Sequence, residues 1–172
     1  MSTNWFKKSH NDQFIQKVKV ILKKHPFTKE IANYYHIPLE DIDKNLQIEV
    51  CDLHGEFAKG NGKAIRLDQK LLDDDFFKDN FHFVIHEFFH WVKRRSEKLF
   101  YFNDPEEIQS FVLQMVWLFI SKKNEDEVSS EIFPIIKTHF KDPNRANKVF
   151  GEMLQKAITL YKIYQKSGTF SM

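Results

Sequence analysis

The chain has 172 residues, 42% of them apolar and 29% charged, with a formal net charge of +2. That length suits one domain with a substantial core, and the small net charge supplies no field to draw the chain to nucleic acid or to an anionic membrane. Cys51 is the single cysteine, which excludes an intrachain disulfide and fits a reducing compartment. Residues 1–8 lack the apolar region of a signal peptide, and no apolar run approaches membrane-spanning length, so a cytoplasmic protein is expected. The 18 phenylalanines point to an aromatic-filled core.

Residues 11–24 form an amphipathic helix, with Phe14, Ile15, Val18, Ile21 and Leu22 on one face and lysines opposite. Pro26 ends it, and Thr28 opens a second segment over 29–42 that faintly resembles a DNA-binding helix-turn-helix. Two features argue against that use. His36 stands where the turn glycine belongs, and the would-be recognition helix carries Glu40, Asp41 and Asp43, which phosphates repel. From Gln47 the period changes from helical to alternating. Residues 47–51, 56–58 and 64–68 read as three short strands, the last two joined by a hairpin at Gly60-Asn61-Gly62. Asp73-Asp74-Asp75 lacks the spaced ligands and glycine of an EF-hand loop and reads as a solvated helix start.

The next helix, expected over 77–96 and closed by the basic turn Lys93-Arg94-Arg95, carries the chemistry. It contains His86-Glu87-x-x-His90 within a stretch that is apolar on nearly all sides from 76 to 92. Positions i and i+4 lie on one helical face, roughly 6 Å apart along the axis, so both imidazoles can reach one tetrahedral Zn²⁺. Two histidines and a glutamate on a buried helix are costly unless something binds them. Glu87 then serves as general base towards a water that the metal acidifies. His82, one turn earlier on the same face, lines or caps the site, because a third histidine there would overreach the metal. His54 reads as a turn residue, and His10, His25 and His139 belong to no motif.

Two histidines need a third protein ligand. Asp104 reads as an N-cap and Pro105 as the first residue of a helix running to about Ser121 on Ile108, Phe111, Val112, Met115, Val116 and Phe119. Glu106 and Glu107 fall in its first turn, where either could equally serve a capping or dipole role. Glu107 shares a stripe with Phe111 and Met115 and tilts inwards, whereas Glu106 shares one with Ser110. Glu107 is therefore the first choice and Glu106 the alternative. Residues 125–140 read as a helix interrupted near Pro134. A last helix starts at Asp142-Pro143, runs to about Gln165 and is stopped by Ser167-Gly168.

The sequence His86-Glu87-x-x-His90, followed by a helix opening Glu107-x-x-Ser110, resembles the glutamate-zincin metallopeptidases. Among these it is most similar to the small bacterial and phage kind that includes the ImmA/IrrE-like proteins, and to the catalytic domain of anthrax lethal factor. In those families the third ligand begins a Glu-x-x-Ala pattern, here with Ser110 for the alanine and Phe111 where the ImmA-like group often has asparagine. The resemblance covers roughly residues 46–120. It implies a zincin-like α+β fold: a small antiparallel sheet, an active-site helix and a glutamate helix. The expected organisation is a single domain, 1–172, with a metal-binding core at about 46–122 and helical additions at 10–45 and 125–166. It further implies a protein or peptide substrate added as a strand along 64–68, and Tyr101 as donor to the oxyanion. The expected activity is zinc-dependent endopeptidase. The alternatives are a zinc-stabilised binding module without proteolysis and an ImmA-like regulator acting on a transcription factor.

Overall fold

In the computed structural model, residues 3–60, 63–96 and 105–170 are described, with side chains described from residue 10 onwards. The chain divides into two compact units, 1–98 and 99–172. It is an α+β protein, and each unit has its own helices.

In the first unit, α1 (Thr3–Lys24) is followed by α2 (Pro26–Tyr34), α3 (Glu40–Lys44), strands β1 (Gln47–Cys51), β2 (Ala58–Gly60) and β3 (Ala64–Asp68), a 3₁₀ turn at Gln69–Leu72, and α4 (Asp74–Lys93). α2 starts two residues before Thr28. Pro26 occupies the first turn, where its missing N–H is not needed, and His25 caps the helix by accepting from Phe27 N at 3.2 Å. Thr28 instead donates its hydroxyl to His25 O. The helix-turn-helix outline exists, with His36 in the left-handed region at φ 59°. Its second helix, however, has only 5 residues, three of them acidic, which is too short and too negative to read a groove.

The sheet corrects the sequence-based expectation of antiparallel strands. Its order is β1-β3-β2, with β1 parallel to β3 and β2 antiparallel to it. A parallel pair needs a crossover of a dozen or so residues, and 52–63 supplies that length, with β2 embedded in it. The residue types agree with this order. Ala64, Ile65, Leu67 and Asp68 of β3 are all buried, as befits a central strand, while β1 and β2 are only partly covered. In the strand expected to bind substrate, residues 64–68, β3 is paired with β1 along its whole length and with β2 from Ile65 to Leu67, so both edges are occupied at those three residues. Among the described residues, no strand pairs with the other edge of β2.

Asp68, 4% exposed, fastens the end of this sheet. Its carboxylate accepts from Leu53 N at 2.8 Å and Lys70 N at 3.0 Å, tying the start of the crossover to the 3₁₀ turn. Burial opposes its ionisation, but those two donors, helped by the Lys70 and His54 charges, hold the carboxyl below its ordinary value. The group therefore stabilises the fold fully above about pH 4, and this contribution is lost as the pH falls through the lower folded value. Asp68→Ala is expected to cost about 1–3 kcal/mol at neutral pH. Melts recorded from neutral to acid pH should show this gap between variant and parent closing as the carboxylate protonates.

α4 packs on β2, β3, α2 and the 3₁₀ turn. Asp73 caps it, accepting from Phe76 N at 2.9 Å, and aromatic side chains hold it in place. Phe57 sits against Phe76 and Phe83 with ring centroids 5.3 and 5.0 Å away. Phe77 meets Phe14 of α1 edge-on at 5.1 Å. The helix begins three residues earlier than the spacing predicts because Asp73 supplies the cap.

The second unit holds α5 (Glu106–Ile120), α6 (Glu125–Thr138) and α7 (Pro143–Ser167), with α5 packed on both others and α6 on α7. Pro105, expected as the first helical residue of α5, is its N-cap, with an extended ψ of 146°. Its ring fixes φ but leaves ψ open, so the helix can begin one residue later. Asp104, the expected cap, lies outside the described residues. α6 is not interrupted at Pro134. Val128, Ile132 and Ile136 bury one face, while Pro134 and Ser130 are exposed, so the carbonyl that loses its partner faces water. A capping box between Asn124 and Glu127 starts α6, and Asp142 with Pro143 starts α7 as expected. Gly168, at φ 71°, terminates α7. Among the described residues, no helix is long and apolar enough to cross a membrane.

Candidate metal centre

α4 presents its polar residues from an otherwise apolar helix. Val84, Ile85, Phe88, Phe89, Trp91 and Val92 are buried around them and fix the rotation of the helix against the sheet. With the helix so fixed, His86 is buried and His90 half-buried, and their rings face each other with centroids 5.0 Å apart. Their Nε2 atoms are 3.2 Å apart. Two nitrogens bound at about 2.0–2.1 Å to one tetrahedral ion stand roughly 3.3–3.4 Å from each other. The observed spacing is therefore close to that of a chelating pair without any rearrangement of the backbone. His82, one turn earlier, is buried with its ring tilted against Phe83, the ring centroids 4.2 Å apart.

Glu87 is half-buried and directed towards the sheet. Its carboxylate lies against Gly60, the last residue of β2, so closely that a Cβ there would overlap Glu87 Oε2 and stand 3.4 Å from Glu87 Cδ. Sequence reasoning missed this residue, because Gly60-Asn61-Gly62 reads as turn glycines. The available signal was a glycine at the end of a strand, which often marks close approach of another group.

Glu106 and Glu107 both lie in the first turn of α5. Glu107 is exposed and Glu106 half-buried, the reverse of what their stripes predict. The stripes fail as a guide because every residue from Gln109 to Phe119 is buried, so this helix has no wet side to define an inward one. Ser110 donates its hydroxyl to Glu107 O at 2.7 Å, which occupies the serine within the helix itself. Among the described residues, His86, His90 and Glu107 are a group that could hold a metal ion.

The donor set suits a borderline-soft divalent ion: two imidazole nitrogens and one carboxylate oxygen leave a fourth tetrahedral position open. Tyr101, expected as an oxyanion donor, lies outside the described residues, and the remaining site residues are those of α4 and α5. Comparison with protein-family models, with curated proteins and with solved structures produced no match for the chain.

Proposed function

We propose that this chain is a zinc-dependent metallopeptidase in which His86, His90 and Glu107 hold the metal and Glu87 is the general base. The observation that carries the reading is the pair of imidazoles on α4, His86 and His90, with Nε2 atoms 3.2 Å apart on the same helix as Glu87, together with Glu107 in a group that could hold a metal ion. A merely structural metal site has no use for Glu87. When bound, the metal would supply a Lewis acid that acidifies water and polarises a peptide carbonyl. Glu87 would take the proton of the attacking water and deliver it to the departing amine.

The substrate would be an extended peptide. Because β3 is the central strand, we assign strand addition to the outer edge of β2, whose last residue touches Glu87. A cytoplasmic setting suits the lone Cys51. The test is incubation of the zinc-loaded protein with a mixed peptide library, with new termini read by mass spectrometry. Cleavage that stops with a chelator and returns with zinc is expected. Stoichiometric zinc without any cleavage would instead favour a metal-stabilised binding module.

The third ligand has its own test. Glu107→Ala should weaken zinc binding by ~10²-fold or more, since it removes one of three protein donors. Glu106→Ala should lose only a helix-dipole contribution of about 0.3–1 kcal/mol and keep its zinc. Zinc titrations of the two variants against a competing chelator distinguish these outcomes.

A further inference from the structure

Gly60 is not explained by backbone conformation. It is absent from the positive-φ glycines, which among the described residues are Gly55 and Gly168, so alanine could adopt its φ and ψ. It is not explained by a turn either, since it is the last residue of β2, in register with Ile65 of β3. What a side chain there would meet is Glu87: a Cβ would overlap Oε2, while the next neighbour, Ala64 O, stands at an ordinary 3.7 Å. The space a side chain would fill is thus taken by the carboxylate of the residue assigned as general base.

We propose that Gly60 is the positioning residue for that carboxylate. Its bare Cα forms a seat that stops the Glu87 side chain from swinging towards the sheet, and this fixes the direction from which the base meets its water. The assignment rests on the peptidase reading for its consequence, but not for its geometry. Glutamate has three rotatable bonds, and a helix leaves the outer two largely unrestrained. A contact at the far end removes that freedom where an ångström of misplacement can lose ~10²-fold in rate. It also explains how a base on α4 is aligned with a peptide on β2, because the seat is part of the strand to which the peptide would add.

Gly60→Ala tests this. The neighbour that must give way is the flexible end of a side chain, so the variant should fold and bind zinc like the parent. Crystal structures of both proteins should show the Glu87 carboxylate displaced by on the order of 1 Å in the variant, with α4 unmoved. Turnover of a library peptide cleaved by the parent should fall by ~10–10²-fold, mainly in kcat. Combining Gly60→Ala with Glu87→Asp, whose carboxylate is one methylene shorter, should relieve the overlap. The pair should melt within about 2 °C of Glu87→Asp alone, and its turnover should be no lower than that single variant's. An unmoved carboxylate in Gly60→Ala, or a displaced one with full turnover, would overturn the seat. So would equal damage from Gly60→Ala in the parent and in the Glu87→Asp variant. A zinc-loaded parent that cleaves no peptide contradicts the peptidase reading alone, and the carboxylate positions in the two structures still decide the seat.

Discussion

Replacing Glu87 by glutamine should leave the zinc in place and remove at least ~10²-fold of peptide turnover. Glutamine matches glutamate in shape and volume, so the contact with Gly60 and the fold of α4 survive. What is lost is the ability to accept a proton from the attacking water and to pass it to the leaving amine. On the proposed reading neither His86 nor His90 could substitute, because one ring nitrogen would be bound to metal and the other would carry the ring proton. Parent-like turnover in a zinc-replete glutamine variant would show that Glu87 is not the base.

The largest effect on the metal itself is expected from His86→Ala and His90→Ala. Each removes one of three protein donors and should weaken zinc binding by at least ~10²-fold. Binding to the folded state adds to stability by mass action, so a loss of that size lowers stability in saturating zinc by about 2.7 kcal/mol. For a chain of this length that corresponds to roughly 5–10 °C in Tm. His86 is buried, so its removal also leaves a cavity with a packing cost of its own. Melts with and without a chelator separate the two contributions. The gap between variant and parent should narrow sharply in chelator, and a gap that is the same in both conditions would mean that the imidazoles serve packing only.

The placement of His86, Glu87 and His90 on one helix was more legible in the sequence than the architecture around it. His86, Glu87 and His90 are close together in a single helix, so local geometry alone places them, and the observed Nε2 spacing agrees with that expectation. β1 and β3 were found at their full length because each alternates over five residues. Their order and direction were not legible. Alternation tells which face of a strand is buried, but not which strand is central. In β3 the last residue, Asp68, is a buried carboxylate held by Lys70 N close by and by Leu53 N from the far side of the crossover. The same distinction separates Glu107 from Glu106. Neighbouring residues in the first turn of a helix differ by one rotation step, and in α5 the surrounding burial is too uniform to say which points where. Gly60 was hidden for a related reason: its meaning depends on a side chain of α4 that only the tertiary structure brings to it. Pro134 misled in the opposite direction, since one lost hydrogen bond on the exposed face of α6 is outweighed by the buried Val128, Ile132 and Ile136.

The claim that His86, His90 and Glu107 hold one zinc ion is tested most directly by zinc-edge X-ray absorption on the parent protein loaded with one equivalent of zinc. A four-coordinate ion with two imidazole nitrogens at about 2.0–2.1 Å and oxygen donors at about 2.0–2.2 Å is expected. A zinc shell without imidazole scattering, or a protein that retains no zinc after gel filtration, would contradict it.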